Sequence, residues 1–73
     1  MLEIRLFATL RKSRGTLIKI PFHFGITGKE ILSTLSISED EVSIFLINGF
    51  HSSFNKELSD NDIISIFPPV GGG

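Results

Sequence analysis

Residues 26–32 read Ile-Thr-Gly-Lys-Glu-Ile-Leu. Thr27 followed three residues later by Glu30 is a capping box, in which the two side chains satisfy each other's backbone amides at the start of a helix. Ile26 before the cap and Ile31 after it stand at the hydrophobic-staple positions. A helix is therefore expected to start at Thr27, with Ile31, Leu32 and Leu35 on one face. Gly28 at its first position weakens it, so the helix is expected to be short and held by packing.

The residues on either side read as strands and turns. Leu2, Ile4 and Leu6 alternate with Glu3, Arg5 and Phe7, the period of a strand over residues 2–8. Arg11 to Gly15 reads as a polar turn. Residues 16–22 form a second strand with Ile18, Ile20 and Phe22 on one face, and Pro21, which has no N–H to donate, places it at a sheet edge. After the helix, Ser36 to Glu41 is a polar loop and residues 42–48 (Val-Ser-Ile-Phe-Leu-Ile-Asn) read as a buried strand. Asn48-Gly49 is a two-residue hairpin signal, with a short return strand near Phe50–Ser53. Leu58 is expected to plug the core. Ser59 to Asp62 is a turn, and residues 62–67 are the last strand, ended by Pro68-Pro69. This order makes an α+β domain: a mixed sheet of four to five strands with one main helix on one face. The other face meets water or a partner. Phe7 and Phe67 lie opposite the aliphatic sets of their strands. They therefore either form an exposed apolar patch, the mark of an interaction site, or pack against each other and a loop.

Seventy-three residues allow one domain. The absence of Cys excludes a disulfide framework, a thiolate zinc site and a cysteine nucleophile, and fits an intracellular, cytoplasmic setting. No apolar run reaches the ~18 residues of a membrane span, and Glu3 and Arg5 make the first residues unlike a signal peptide. Residues 1–35 carry six basic and two acidic side chains, a net of +4; residues 36–73 carry one basic and six acidic, a net of −5. Nucleic-acid binders usually carry a basic excess, which an overall charge of −1 does not supply. The cluster Arg11, Lys12 and Arg14 reads either as a solvated turn or as a rim that steers an acidic protein partner. His23 and His51 are too far apart for a ligand motif. Glu39-Asp40-Glu41 reads as a solvated loop, and Ser52-Ser53 has no adjacent base. No metal, no stably bound cofactor and no self-contained catalytic site is expected, so the chain is not expected to be an enzyme alone.

The chain ends Phe67-Pro68-Pro69-Val70-Gly71-Gly72-Gly73. Residues 1–69 read as the domain and 70–73 as a flexible tail. Extended, residues 68–73 reach at most ~20 Å. Such a tail can thread a channel too narrow for side chains and deliver the α-carboxyl of Gly73. That carboxyl is ionised at neutral pH; it is a poor electrophile and needs activation, normally by a nucleotide. The chain has neither a Walker nor a Rossmann fingerprint, so the activating enzyme must be another protein.

A strand Ile4-Arg-Leu-Phe-Ala-Thr-Leu-Arg11, a capped helix, a Phe45-Leu-Ile-Asn-Gly49 hairpin and the end Leu58-Ser-Asp-Asn-Asp-Ile-Ile-Ser-Ile-Phe-Pro-Pro-Val-Gly-Gly-Gly73 together resemble the MoaD/ThiS sulfur-carrier family. The resemblance covers essentially the whole chain. Pro-Pro-Val before the glycines resembles the MoaD branch, the small subunits of molybdopterin synthase, more than the ThiS branch of thiamine biosynthesis. The resemblance implies a ubiquitin-like β-grasp fold. It also implies a sulfur carrier for molybdenum-cofactor synthesis. A MoeB/ThiF-like adenylyltransferase would use ATP to adenylate Gly73, the acyl-adenylate would become a thiocarboxylate, and a MoaE-like large subunit would receive the tail in a hetero-oligomer. Gly72 and Gly73 match the family's terminal pair, preceded here by Gly71. Phe7, Phe67 and the following Pro68, Pro69 and Val70 match positions that meet partners. A thiamine or tungsten-cofactor carrier and a ubiquitin-like protein modifier use the same activated end and remain alternatives.

Overall fold

The structure is a computed structural model that describes residues 1–69. The expected tail, Val70 with Gly71, Gly72 and Gly73, lies outside the described residues. The helix, α1, spans Gly28–Thr34, and the hydroxyl of the extended Thr27 accepts the Glu30 amide at 3.4 Å. Ile26 and Ile31 are both buried, so the staple closes over the cap. Gly28 has a role that its low helix propensity hides. It is itself buried, and a Cβ there would lie 2.6 Å from the Phe45 ring carbon Cζ and 3.1 Å from the Phe54 carbonyl oxygen. The missing side chain lets the first turn of the helix sit directly on the sheet. Phe45 meets Phe54 edge to face, with ring centroids 5.1 Å apart.

Five strands follow from the alternating segments: β1 Leu2–Leu6, β2 Leu17–Ile20, β3 Ile44–Ile47, β4 Phe50–His51 and β5 Ile63–Phe67. Their order in the sheet is β2-β1-β5-β3-β4. β1 is antiparallel to β2 and parallel to β5, while β3 is antiparallel to both β5 and β4. The edge position expected for the Pro21-bearing strand is the one that β2 takes. Leu2, Ile4, Leu6, Ile64, Ile66, Phe45 and Ile47 form the buried face beneath α1. The strand expected over 42–48 as buried is buried on one face only. β3 starts only at Ile44, and Ile44 and Leu46 turn to the open face while Phe45 and Ile47 turn inward. The first strand, expected over 2–8, ends at Leu6, and residues 8–11 wind into a short 3₁₀ turn, as do residues 39–41 within the expected loop. Leu10 and Ile37, on connecting segments with no periodicity, are buried too, and Leu58 fills the core as its sequence context suggested. Among the described residues no polar or charged residue is buried, and no helix is long and apolar enough to cross a membrane.

The hairpin turn has φ 51° at Asn48 and 86° at Gly49, the pair of positive values that a tight two-residue hairpin needs. The Asn48 side chain then joins it to β5: its Nδ2 donates to Asp62 Oδ1 at 2.8 Å and its Oδ1 accepts the Ile63 amide at 2.9 Å.

Two expectations follow. Adding a methyl group at Gly28 gains helix propensity of ~1 kcal/mol but overpacks against Phe45, a cost of about 1–3 kcal/mol. Gly28→Ala should therefore lower stability in urea denaturation; an unchanged or raised midpoint would show that the Phe45 ring yields freely. His23, in the loop before α1, faces acceptors with both ring nitrogens: Nε2 lies 2.5 Å from Glu30 Oε2, and Nδ1 lies 3.2 Å from the Phe24 carbonyl. The Glu30 contact first, and the carbonyl second, raise its pKa above the ordinary 6.5. A raised value means that the stabilisation is complete below pH 6.5 and disappears as pH climbs through the folded-state value. An NMR titration should place His23 above 6.5, and Glu30→Gln should bring it down; no difference between the two proteins would remove the pair as the cause.

Candidate functional site at the root of the tail

Phe67 ends β5, and the two prolines behind it cannot extend the sheet. The site is therefore built around the last ring of the last strand. The parallel register sets Leu6 beside Ile66, and the Phe7 amide donates to the Ile66 carbonyl at 3.2 Å. One residue further on, Phe7 and Phe67 must be neighbours. Their rings stack with centroids 4.1 Å apart and planes 7° from parallel. On the other side β3 sets Ile44 opposite Phe67, where Ile44 is 37 % exposed. Phe7, Phe67 and Ile44 thus make an apolar row across three strands at the end of the open face from which the tail departs. Of the two readings of the phenylalanines, mutual packing is the one the structure shows. They pack against each other, and the half-buried pair still fronts the face that α1 leaves uncovered.

The opposite end of the open face is ionic. Glu3 takes Arg5 Nε at 2.7 Å and Lys19 Nζ at 3.4 Å. The Arg5 hydrogen bond is the main reason that its carboxyl is held below the usual carboxylate range.

The three basic residues read as one cluster separate into different roles. Arg14 is neither solvated nor a steering rim. It is half-buried and gives Nε to the Leu35 carbonyl at 3.0 Å, Nη1 to Leu10 at 3.2 Å and Nη2 to Ser36 at 3.2 Å. Leu35 and Ser36 lie where α1 ends, where carbonyls lack helical partners and a cation is favoured. Arg11 gives Nε to the Leu6 carbonyl at 3.0 Å and stands over the Phe7 ring at 5.5 Å, within cation–π range. Lys12 lines a groove of about 600 Å³ with Thr9, Leu10, Ser13 and Arg14, facing Asp40, Glu41 and the two prolines. Pro68 is half-buried and Pro69 exposed beside it.

The structure therefore brings together Phe7, Phe67, Pro68 and Pro69; Val70, Gly71, Gly72 and Gly73 lie outside the described residues. Ile44 belongs to the same surface and carried no signal of it in the sequence, because it sat inside a strand read as buried. Arg11, which the sequence offered only as one of three basic residues, is placed there by the 3₁₀ turn. His23 and His51 stay apart in function, the one paired with Glu30 and the other exposed on β4. Among the described residues no group of three His, Asp or Glu side chains could hold a metal ion.

Comparison with known proteins supplies an independent measure. The model of the ThiS family matches residues 4–73. A chain of the protein–protein complex of subunits 1 and 2 of molybdopterin-converting factor from Helicobacter pylori is 27% identical, with a TM-score of 0.65, and the match covers 99% of this chain and 97% of that one. The HVO 2177 protein of Haloferax volcanii is 30% identical, with a TM-score of 0.77 and coverage of 99% and 85%. Small archaeal modifier protein 1 of H. volcanii shares the fold with a TM-score of 0.79 at 20% identity, over 94% of this chain and 97% of that one. None of the curated proteins matches.

The aromatic stack should be measurable as a coupling. In urea denaturation, Phe7→Ala and Phe67→Ala should each destabilise the fold, and the double variant should lose less than their sum by about 0.5–1.5 kcal/mol. Strictly additive losses would show that the rings do not support each other.

Proposed function

The chain belongs to the ThiS family, and from that premise we propose that it is a sulfur carrier serving molybdopterin synthesis, with Gly73 as the reacting residue. The observation that carries this reading is the exit of the chain from the sheet. β5 ends in a ring seated on Phe7, a Pro-Pro pair blocks any further pairing, and Val70 and three glycines follow. A glycine end presents no side chain to a narrow channel, so what it delivers is its carboxyl group.

In the proposed sequence a carboxylate oxygen of Gly73 attacks the α-phosphorus of ATP on a MoeB/ThiF-like adenylyltransferase, and pyrophosphate leaves. A sulfur nucleophile then adds to the acyl carbon and expels AMP, which leaves a thiocarboxylate. No group of this chain acts as acid or base in either step. Its own residues bind and aim. Phe7, Phe67 and Ile44 offer apolar area to the partner, and Pro68-Pro69 restricts the directions in which the tail can leave. A MoaE-like large subunit would take the charged tail and supply the substrate pocket, so that the carrier works as the non-catalytic part of a cytoplasmic hetero-oligomer. The complex of two subunits to which a chain 27% identical belongs supports this arrangement. The chain binds no cofactor of its own in this scheme; the nucleotide belongs to the activating enzyme.

Intact-mass spectrometry tests the reading. After incubation with a MoeB/ThiF-like adenylyltransferase, ATP and a sulfide source, the protein should gain the mass of one sulfur in place of one oxygen, mapped to Gly73. Deletion of Gly73 should abolish the gain and leave the fold unchanged. A gain that survives the deletion would overturn the assignment. Higher-mass conjugates on cellular proteins, formed when a lysine amine rather than sulfide attacks the adenylate, would replace the carrier reading with the modifier one.

A further inference from the structure

We propose that Asn48 is a self-modifying site: it loses its side-chain amide to attack by the Gly49 backbone nitrogen once the β3–β4 hairpin lifts from β5, and it is protected while the hairpin is docked. The chemistry comes from the residue pair. Asn48-Gly49 is the one Asn-Gly pair in the chain, since Asn55 precedes Lys56 and Asn61 precedes Asp62. A glycine, with no side chain, leaves the approach of its nitrogen to the preceding residue unhindered. Both residues are exposed, and among the described residues the Gly49 amide donates to no carbonyl. That nitrogen gives its proton to hydroxide and bonds to Cγ of Asn48. The Cγ–Nδ2 bond breaks, and the side-chain nitrogen takes up a proton and leaves as ammonia. The five-membered imide then adds one water. Opening at one carbonyl yields aspartate; opening at the other yields isoaspartate, in which the chain runs through the former side chain.

Docking withholds this reaction. Asn48 is tied to the start of β5 through three atoms. Its backbone amide donates to the Ile63 carbonyl at 2.7 Å, its Nδ2 donates to Asp62 Oδ1 at 2.8 Å, and its Oδ1 accepts the Ile63 amide at 2.9 Å. The partners dictate which way the side-chain amide points, because a carboxylate only accepts and a backbone N–H only donates. Ring closure turns Cγ toward Gly49 and expels Nδ2, so both side-chain bonds must break first. The product cannot dock as before. Aspartate at 48 still accepts from Ile63, but its second oxygen stands where a donor faced Asp62, and two carboxylates in one contact disfavour each other's charge. Asp62 does not swing away freely, because its Oδ2 accepts the Ser59 amide at 2.8 Å. Isoaspartate inserts an extra carbon into a two-residue turn whose register pairs Ile47 with Phe50. The loss of ammonia makes the step one-way, and it loosens β5 at the end of the sheet opposite the tail.

The test follows the wild-type protein in mildly alkaline buffer at physiological temperature, folded and in denaturing urea. Peptide mapping by mass spectrometry reads conversion at Asn48, with Asn55 and Asn61 as internal standards, and labelling by an isoaspartyl methyltransferase identifies the isoaspartate. In urea Asn48 should convert faster than Asn55 and Asn61. In the folded protein it should convert at least about tenfold more slowly than in urea, the factor that a modest local opening equilibrium imposes. Asp62→Ala removes one tether and keeps the Asn-Gly pair, and should raise the folded-state rate, with circular dichroism confirming the fold. Asn48→Asp should lower the urea midpoint. Equal rates with and without urea overturn the gating, whether or not Asp62→Ala folds. Conversion in urea no faster than at Asn55 and Asn61 overturns the site itself, and a wild-type midpoint in Asn48→Asp overturns the consequence for β5. None of these outcomes bears on the carrier reading, which concerns the other end of the sheet.

Discussion

Parallel pairing of β1 with β5 is the constraint on which the rest of the molecule depends. Parallel neighbours cannot be joined by a tight turn, so the chain between them must travel the length of the sheet and return. β2, α1, β3 and β4 fill that route, and α1 covers one face of the sheet. The same pairing runs the first and last strands in one direction. Their far ends therefore arrive together, with Phe7 stacked on Phe67, the Ala8–Arg11 turn behind Phe7, and Pro68-Pro69 beyond Phe67. The root of the tail is thus held by the first strand, the oldest neighbour it has in the chain.

One short helix on five strands leaves the sheet two unlike faces. The inner face is aliphatic and buried. The outer face is graded along the strands, with an ion-paired cluster around Glu3 at one end and the apolar row of Phe7, Phe67 and Ile44 at the end where the tail departs. Charge is neutralised at one end and apolar area left uncovered at the other. Close contact between helix and sheet makes this possible in so small a body, and that contact passes through Gly28, where a side chain would strike Phe45.

Much of this was legible before any coordinates. Thr27 and Glu30 marked the helix start because a cap is a local hydrogen-bond pattern. Asn48-Gly49 marked the hairpin because few residues tolerate the backbone angles it demands. What escaped was non-local. Gly28 looked like a weakness in the helix, and its reason lies 17 residues away at Phe45 and 26 away at the Phe54 carbonyl. Arg14 looked like one of three equivalent cations, and its acceptors include carbonyls more than 20 residues distant. Leu10 and Ile37 are buried from segments too short to show a period.

The amino-acid sequence by itself determined the element types, the two-layer α+β character and the glycine end. Capping, alternation and turn chemistry act over a few residues, and each leaves its mark in the residues concerned. Only the tertiary structure decided that Phe7 and Phe67 are a stacked, half-buried pair. It also decided that Arg14 is tied to backbone carbonyls while Arg11 stands exposed over the Phe7 ring. Those outcomes depend on which strand lies beside which and in what register, and register is settled by the burial of the whole aliphatic face at once.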